Sequence, residues 1–208
     1  MHVKEIEGVY YLYDGDKQLL TSEGSAISTK SQELAQILLE EAQSGIEPKA
    51  GDPHSMLGYH SLYCDYQIQI QDEQESDNEG DGIEVIKELL YCDNFWGFDE
   101  PIQIRAAAIS QYLDWLPETV DKLPLHRYIA FMNMSIATKS IILPHKILHC
   151  LFSVDSFYSK DDVDMFVEDL EEYGLENGAA AFVDMDWTFD SIKSMVETFV
   201  KYYTLELE

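Results

Sequence analysis

The residues whose types and spacing come nearest to a chemical site lie in an acidic segment in the middle of the chain. Four carboxylates fall at positions 1, 3, 5 and 12 of an EF-hand calcium loop, namely Asp77, Glu79, Asp81 and Glu88. Gly82 follows at position 6, where an EF-hand needs a sharp turn. Against this interpretation, Glu84 occupies a normally apolar position, and residues 66–70 alternate like a strand where a helix should enter. We favour a solvated acidic linker and retain a calcium-responsive module as the alternative.

Other patterns that could support catalysis or metal binding are weaker. His145 and His149 would share one helix face, but no glutamate follows His145 as a zinc-protease motif requires. The sequence contains no GxSxG nucleophile elbow and neither glycine-rich phosphate-binding motif. Its three cysteines, at positions 64, 92 and 150, form no CxxC pair. We expect a protein that is not an enzyme and needs no cofactor or metal.

The charge of the chain restricts its partners. The 208 residues include 13 Lys or Arg and 40 Asp or Glu, a formal net charge of −27. Nucleic acids and anionic membranes are disfavoured as partners, because both are bound by clustered basic residues. An acidic surface instead suits a basic protein partner, or only keeps the protein in solution. The apolar runs are short and the N-terminus carries no targeting pattern, so we expect a cytoplasmic protein without a membrane span.

The elements that must position these residues begin with a hairpin. The β-forming residues 9–13 precede Asp14 and Gly15, a dipeptide typical of tight hairpin turns. Residues 19–21 are predicted to form the returning strand, and residues 26–27 a short third strand.

Two helices are predicted to follow the strands. Thr29 or Ser31 is a suitable N-cap for the first, which has apolar residues at helical spacing and Gly45 as its C-terminal stop. The second is predicted to run from Met56 to about Tyr66.

The remaining sequence divides the chain into two domains. Residues 71–82 contain no apolar side chain, which indicates an exposed acidic linker or loop over 67–82. Beyond it, the apolar periodicity predicts helices near 83–93, 101–115, 119–136, 140–152, 160–173 and 189–204. The predicted fold is α+β, with a small β-rich N-terminal domain at 1–66 followed by a larger all-helical domain at 83–208.

The hairpin, the first helix and the segment after it form an ordered series of motifs. In order, the series is YLYDGDKQLLTSEG at 11–24, LAQILLEE at 34–41, IEP at 46–48, Met56, and LYCD at 62–65. This series resembles the N-terminal region of the ATP12-type chaperones, which assist assembly of the F1 part of ATP synthase. Residues 89–93 and 112–115 resemble two later landmarks of the same family.

The resemblance implies an ATP12-like fold and a function without catalysis. A chaperone of this family binds the F1 α subunit and masks its surface until assembly. Glu41 matches the helix glutamate that is functionally important in the family. Together with Glu40, Asp65 and Asp93, it makes the set of carboxylates that we expect to contact a protein partner. The resemblance implies no nucleotide, metal or other cofactor.

Overall fold

The computed structural model describes residues 1–73, 81–91, 93, 109–152, 165 and 189–207. The chain divides into two compact units. The N-terminal unit consists of residues 1–79 together with 202–208, and the helical unit consists of residues 80–201.

A small antiparallel sheet begins the N-terminal unit. Its strands are β1 (His2–Ile6), β2 (Val9–Asp14), β3 (Lys17–Gln18) and β4 (Ser28–Thr29). The central strand β2 pairs with β1 along its whole length, and with β3 and β4 along its other edge. The α+β class predicted from the sequence is confirmed by this sheet and the helices that follow it.

Both hairpins turn on residues with positive φ. Gly15, with a φ of 58°, closes the β2–β3 hairpin at the predicted turn, and Asp14 pairs with Lys17 there. The strands predicted at 19–21 and 26–27 are wrong in position, because β3 and β4 lie at 17–18 and 28–29, and only an isolated bridge joins Leu20 to Ala26. Glu7 and Gly8, with φ values of 54° and 81°, close the β1–β2 hairpin. Positive φ at both central residues is the geometry of a type I′ turn, which matches the twist of the strands. Nothing in the sequence analysis had singled out this turn.

Helix α1 (Gln32–Gln43) lies where the sequence predicted a helix. Ser31 is its N-cap, because the Ser31 side chain accepts a hydrogen bond from the backbone N–H of Leu34 at 3.2 Å. Its buried residues recur at helical spacing: Leu34, Ala35, Leu38, Leu39 and Ala42. This stripe faces the sheet and the next helix, so the opposite side of α1 is left to solvent.

Helix α2 (Met56–Glu73) runs past Tyr66, where the sequence predicted its end. The strand-like alternation at 66–70 therefore lies within a helix. The acidic linker predicted over 67–82 is wrong for residues 67–73, which belong to α2, and for residues 81–82, which begin the next helix at Asp81–Tyr91. No Gly or Pro interrupts residues 59–73, and the Gln67 amide donates to the Tyr63 hydroxyl one turn earlier at 2.8 Å. Polar residues at alternate positions are equally compatible with an exposed end of a helix.

In the described part of the helical unit, four helices have assigned bounds, residues 109–113 are also helical, and one further helix crosses the boundary between the units in sequence. The four are α3 (Asp81–Tyr91), α4 (Leu116–Asp121), α5 (Leu125–Thr138) and α6 (Ile142–Phe152). Helix α7 (Phe189–Tyr203) reaches into the N-terminal unit with its last residues. Within the described part of the chain, no helix is long and apolar enough to cross a membrane.

One predicted helix is divided in the structure. Residues 119–136 were expected to be continuous, but α4 ends at Asp121 and α5 begins at Leu125. Pro124 precedes α5 with a ψ of 144°, which is outside the helical region, and proline has no N–H for an intrahelical hydrogen bond. The predicted helix at 160–173 lies outside the described residues, apart from Met165, and the predicted helix at 101–115 is described only from residue 109.

Candidate functional site

Glu41 is a helix cap in this structure. It lies near the end of α1, and its two carboxylate oxygens accept hydrogen bonds from the first backbone amides of α2. Oε1 is 3.1 Å from the N atom of Met56, and Oε2 is 2.7 Å from the N atom of Leu57. The first N–H groups of a helix have no partner within it, and its N-terminus favours negative charge. Glu41 therefore joins α1 to α2 and serves the fold directly.

Glu40, the neighbouring carboxylate, is exposed on α1. Its side chain accepts one hydrogen bond, from the Gln36 amide at 3.0 Å, one turn earlier. Four exposed residues spaced by three or four positions form what we call the outer face of α1: Glu33, Gln36, Glu40 and Gln43. This face carries two carboxylates and no basic residue.

Asp65 is buried and holds a turn. One of its oxygens accepts a hydrogen bond from the hydroxyl of Thr21, and the Thr21 oxygen in turn accepts from the backbone N–H of Ser25 at 3.0 Å. Asp65 thereby fastens α2 to the turn between Thr21 and Ser25. Its other oxygen is buried and has no hydrogen-bond partner among the residues that the structure describes.

Asp93 caps a helix in the other unit. Its Oδ2 accepts hydrogen bonds from the backbone amides of Ile141 at 2.7 Å and Ile142 at 3.0 Å, where α6 begins. Burial, and then the charge of Asp93, raises the pKa of the Tyr112 hydroxyl. The two later landmarks of the sequence, around Asp93 and Tyr112, are therefore near each other in the fold.

The four carboxylates expected to bind a partner thus have different surroundings. Glu41, Asp65 and Asp93 each accept hydrogen bonds that hold a helix start or a turn, and only Glu40 is exposed. Three of them lie in the N-terminal unit, and Asp93 lies in the helical unit. Of the four, only Glu40 therefore has a side chain that is exposed to solvent.

The structure does not favour the calcium alternative. Asp77 and Glu79 lie outside the described residues. Asp81 and Glu88 both belong to α3, which places their backbones about 10 Å apart along the helix axis. In an EF-hand, these positions wrap around one ion. No group of three potential metal ligands from His, Cys, Asp and Glu is found among the residues that the structure describes.

His145 belongs to an aromatic cluster. Its ring centroid is 5.4 Å from that of Tyr112 and 5.0 Å from that of Trp115. Its supposed metal-binding neighbour His149 has no described side chain. The contacts of His145 are those of a residue that packs between helices.

A buried polar chain lies in the N-terminal unit, and the sequence analysis missed it. His60 Nε2 is 2.8 Å from the carbonyl oxygen of Ser28, so this nitrogen carries the proton and donates. Nδ1 then accepts from the Tyr202 hydroxyl at 3.1 Å. Burial lowers the pKa of His60 to about 4 and raises that of Cys64, which also donates to the Ser28 carbonyl, to about 11. His60 and Tyr202 are 142 positions apart, so no local pattern could reveal the pair.

An open groove of about 230 Å³ lies between β2, β4 and α2. Its walls combine aliphatic, aromatic and polar residues: Val9, Tyr11, Ser28, Thr29, Lys30, Tyr63, Gln67 and Leu207. All of these residues belong to the N-terminal unit. The groove is smaller than the roughly 300–1,000 Å³ that drug-sized ligands and cofactors occupy, so it suits only a small group.

No protein-family model matches the chain, and comparison with curated proteins and with solved structures gave no match. The resemblance to assembly chaperones therefore rests on the motif series itself.

Proposed function

We propose that this protein is a non-catalytic, protein-binding chaperone that assists F1 assembly by binding the α subunit, as the ATP12-type factors do. One observation carries the proposal. The motif series at 11–65 folds into a single unit in which its signature residues have specific tasks: Gly15 closes a hairpin, Glu41 caps α2 and Asp65 holds a turn. Residues with such tasks are those that a shared fold would retain.

The outer face of α1 is the surface that we propose for the partner. It is exposed, it lies on a helix anchored at both ends, and it presents Glu33 and Glu40 about two turns apart. A rigid helix carrying carboxylates suits a basic patch on a partner protein. The net charge of −27 would accelerate the encounter with such a patch at low salt.

The test is binding to the isolated F1 α subunit of the same organism, measured by calorimetry. The informative variant carries Glu33→Lys and Glu40→Lys. The control carries Glu5→Lys and Glu47→Lys, two exposed positions off the outer face of α1 that change the net charge equally. We expect the outer-face variant to bind about tenfold more weakly, and the control to bind like the parent.

Two results would contradict the proposal. Absence of binding by the parent protein would remove the F1 assignment. Equal weakening of both variants would show that only the overall charge attracts the α subunit. Thermal unfolding of each variant confirms that the substitutions leave the fold intact.

A further inference from the structure

The groove between β2, β4 and α2 has a rigid wall. The carbonyl of Ser28 at this wall is held from behind by His60 at 2.8 Å and by Cys64 at 3.8 Å. On the α2 side, Tyr63 stacks on the His60 ring at a centroid distance of 5.4 Å and accepts a hydrogen bond from Gln67. The groove is therefore formed before any ligand arrives, which lowers the entropy cost of binding.

The groove holds one positive charge and several hydroxyl groups. Lys30 is exposed at its rim, and no carboxylate of the described residues lies within ion-pair distance of its ammonium group. The Thr29 oxygen already accepts from the backbone N–H of Ser31 at 3.1 Å, so its hydroxyl hydrogen remains available for an acceptor. The Tyr11 hydroxyl also belongs to a residue that lines the groove. One ammonium with nearby hydroxyl donors is a suitable environment for a single carboxylate.

Half of the residues that line the groove also contribute apolar surface. Val9 and Leu207 contribute aliphatic surface, and the rings of Tyr11 and Tyr63 contribute aromatic surface. A cavity of about 150 Å³ holds a benzene molecule. The groove, at about 230 Å³, has room for a carboxylate on an apolar body the size of one leucine residue.

We infer that this groove binds the carboxylate of a small apolar acid, either a free acid or the C-terminal residue of a peptide, with Lys30 as the counter-charge. The inference does not depend on the assembly function, because it concerns a different surface from the outer face of α1.

The test is a nuclear magnetic resonance titration of the full chain with N-acetyl-leucine and, in parallel, with N-acetyl-leucine amide. The two probes differ only in the charge of the terminal group. We expect the acid to shift the backbone amides of residues 9–11, 28–30 and 63–67, and to bind about two- to fivefold more tightly than the amide. Added salt should weaken binding of the acid, since Lys30 is exposed.

Matched variants assign the effect to the groove. Lys30→Gln should lower the affinity for the acid about two- to fivefold, to that of the amide. Lys49→Gln, which removes an equally exposed charge outside the groove, should leave it unchanged. Gln67→Phe should fill the groove and abolish binding of both probes, at an exposed helix position that tolerates the larger side chain.

Each result of these titrations either identifies the kind of ligand or overturns the inference. If longer peptides ending in leucine bind more tightly than N-acetyl-leucine, the natural ligand is the terminus of a peptide. If hexanoate binds as tightly as N-acetyl-leucine, the natural ligand is a free acid. Equal affinity for acid and amide would overturn the inference, as would an unchanged affinity in Lys30→Gln. No perturbation of the groove at tens of millimolar would overturn it as well.

Discussion

At the scale of single residues, the carboxylates that stand out in the sequence are used as caps. Glu41 and Asp93 each accept two backbone N–H groups at a helix start, and such ends otherwise leave N–H groups without partners. Their importance to the fold and their importance to a partner are separable properties. Adjacent Glu40 and Glu41 allow that separation to be measured, because one is exposed and the other is bonded to α2.

Glu41→Gln should lower the free energy of unfolding by about 1–2 kcal/mol. The amide keeps the shape of the side chain but loses the charge that favours the α2 N-terminus, and it has only one acceptor oxygen for two backbone donors. Glu40→Gln is the matched control, and as an exposed substitution it should change stability by less than about 0.5 kcal/mol. Chemical denaturation of the three proteins measures both. Equal stability of all three would contradict the capping role.

His60 gives the protein a specific dependence on pH. Its pKa is lowered from 6.5 to about 4 by burial, so the unfolded chain takes up a proton in this range before the folded chain does. The stability that comes from His60 is therefore complete above pH 6.5 and is lost as the pH falls toward 4. The loss amounts to about 3 kcal/mol at 1.36 kcal/mol per unit.

The difference between the parent and His60→Gln isolates this effect from the titration of the other acidic groups. Glutamine can still donate to the Ser28 carbonyl, but it does not titrate. Denaturation at a series of pH values from 4 to 7 should show a steeper loss in the parent. Parallel curves for the two proteins would show that the His60 pKa is not lowered by the fold.

At the scale of elements, α2 is held by three contacts, two of which join residues far apart in sequence. Glu41 caps its start, Asp65 fastens it to the turn at 21–25, and Gly58 allows the 51–53 loop to approach it closely. A methyl group at Gly58 would lie 2.5 Å from the carbonyl oxygen of Asp52 and 2.7 Å from its Cβ. This glycine is therefore needed for space rather than for an unusual φ.

Gly58→Ala should destabilise the protein by about 1–3 kcal/mol through this clash. The sign is the informative part, because Gly→Ala within an exposed helix stabilises by up to about 1 kcal/mol. Gly58→Ser should be no better, since it adds a still larger group. The melting temperatures of the two variants measure this effect. A higher melting temperature for Gly58→Ala than for the parent would contradict the prediction, because the 51–53 loop would then move away from the added methyl group at no cost.

Some helices and strands could be predicted from the sequence, and others could not. Helix α1 was predictable because its cap, Ser31, and its apolar stripe are local. The turn of the β2–β3 hairpin was predictable because Gly15 stands where a positive φ is required, but the returning strand begins two residues earlier than predicted. The length of α2 was not, because polar alternation at 66–70 fits a strand as well as the exposed end of a helix. The break at Pro124 was missed because the flanking apolar period continues across it.

At the scale of the whole molecule, contacts between residues distant in sequence determine the role of each charged side chain. The sequence could single out Glu41, Asp65 and Asp93 as special, but it could not assign their roles, because their partners lie 15 to 49 positions away. The groove at Lys30 was equally hidden, since two strands, a helix and the residue Leu207 contribute to it. Long-range contacts thus decide which of the 40 acidic residues hold the fold together and which stay exposed.

The most direct test of the account is a paired measurement on Glu40→Lys and Glu41→Gln. For each variant, affinity for the isolated F1 α subunit and free energy of unfolding are determined under the same conditions. We expect opposite effects of the two substitutions. Glu40→Lys should lower the affinity without changing the stability, and Glu41→Gln should lower the stability without changing the affinity. Loss of affinity in Glu41→Gln with Glu40→Lys unaffected would contradict it, because the capping carboxylate would then also be the one that meets the partner.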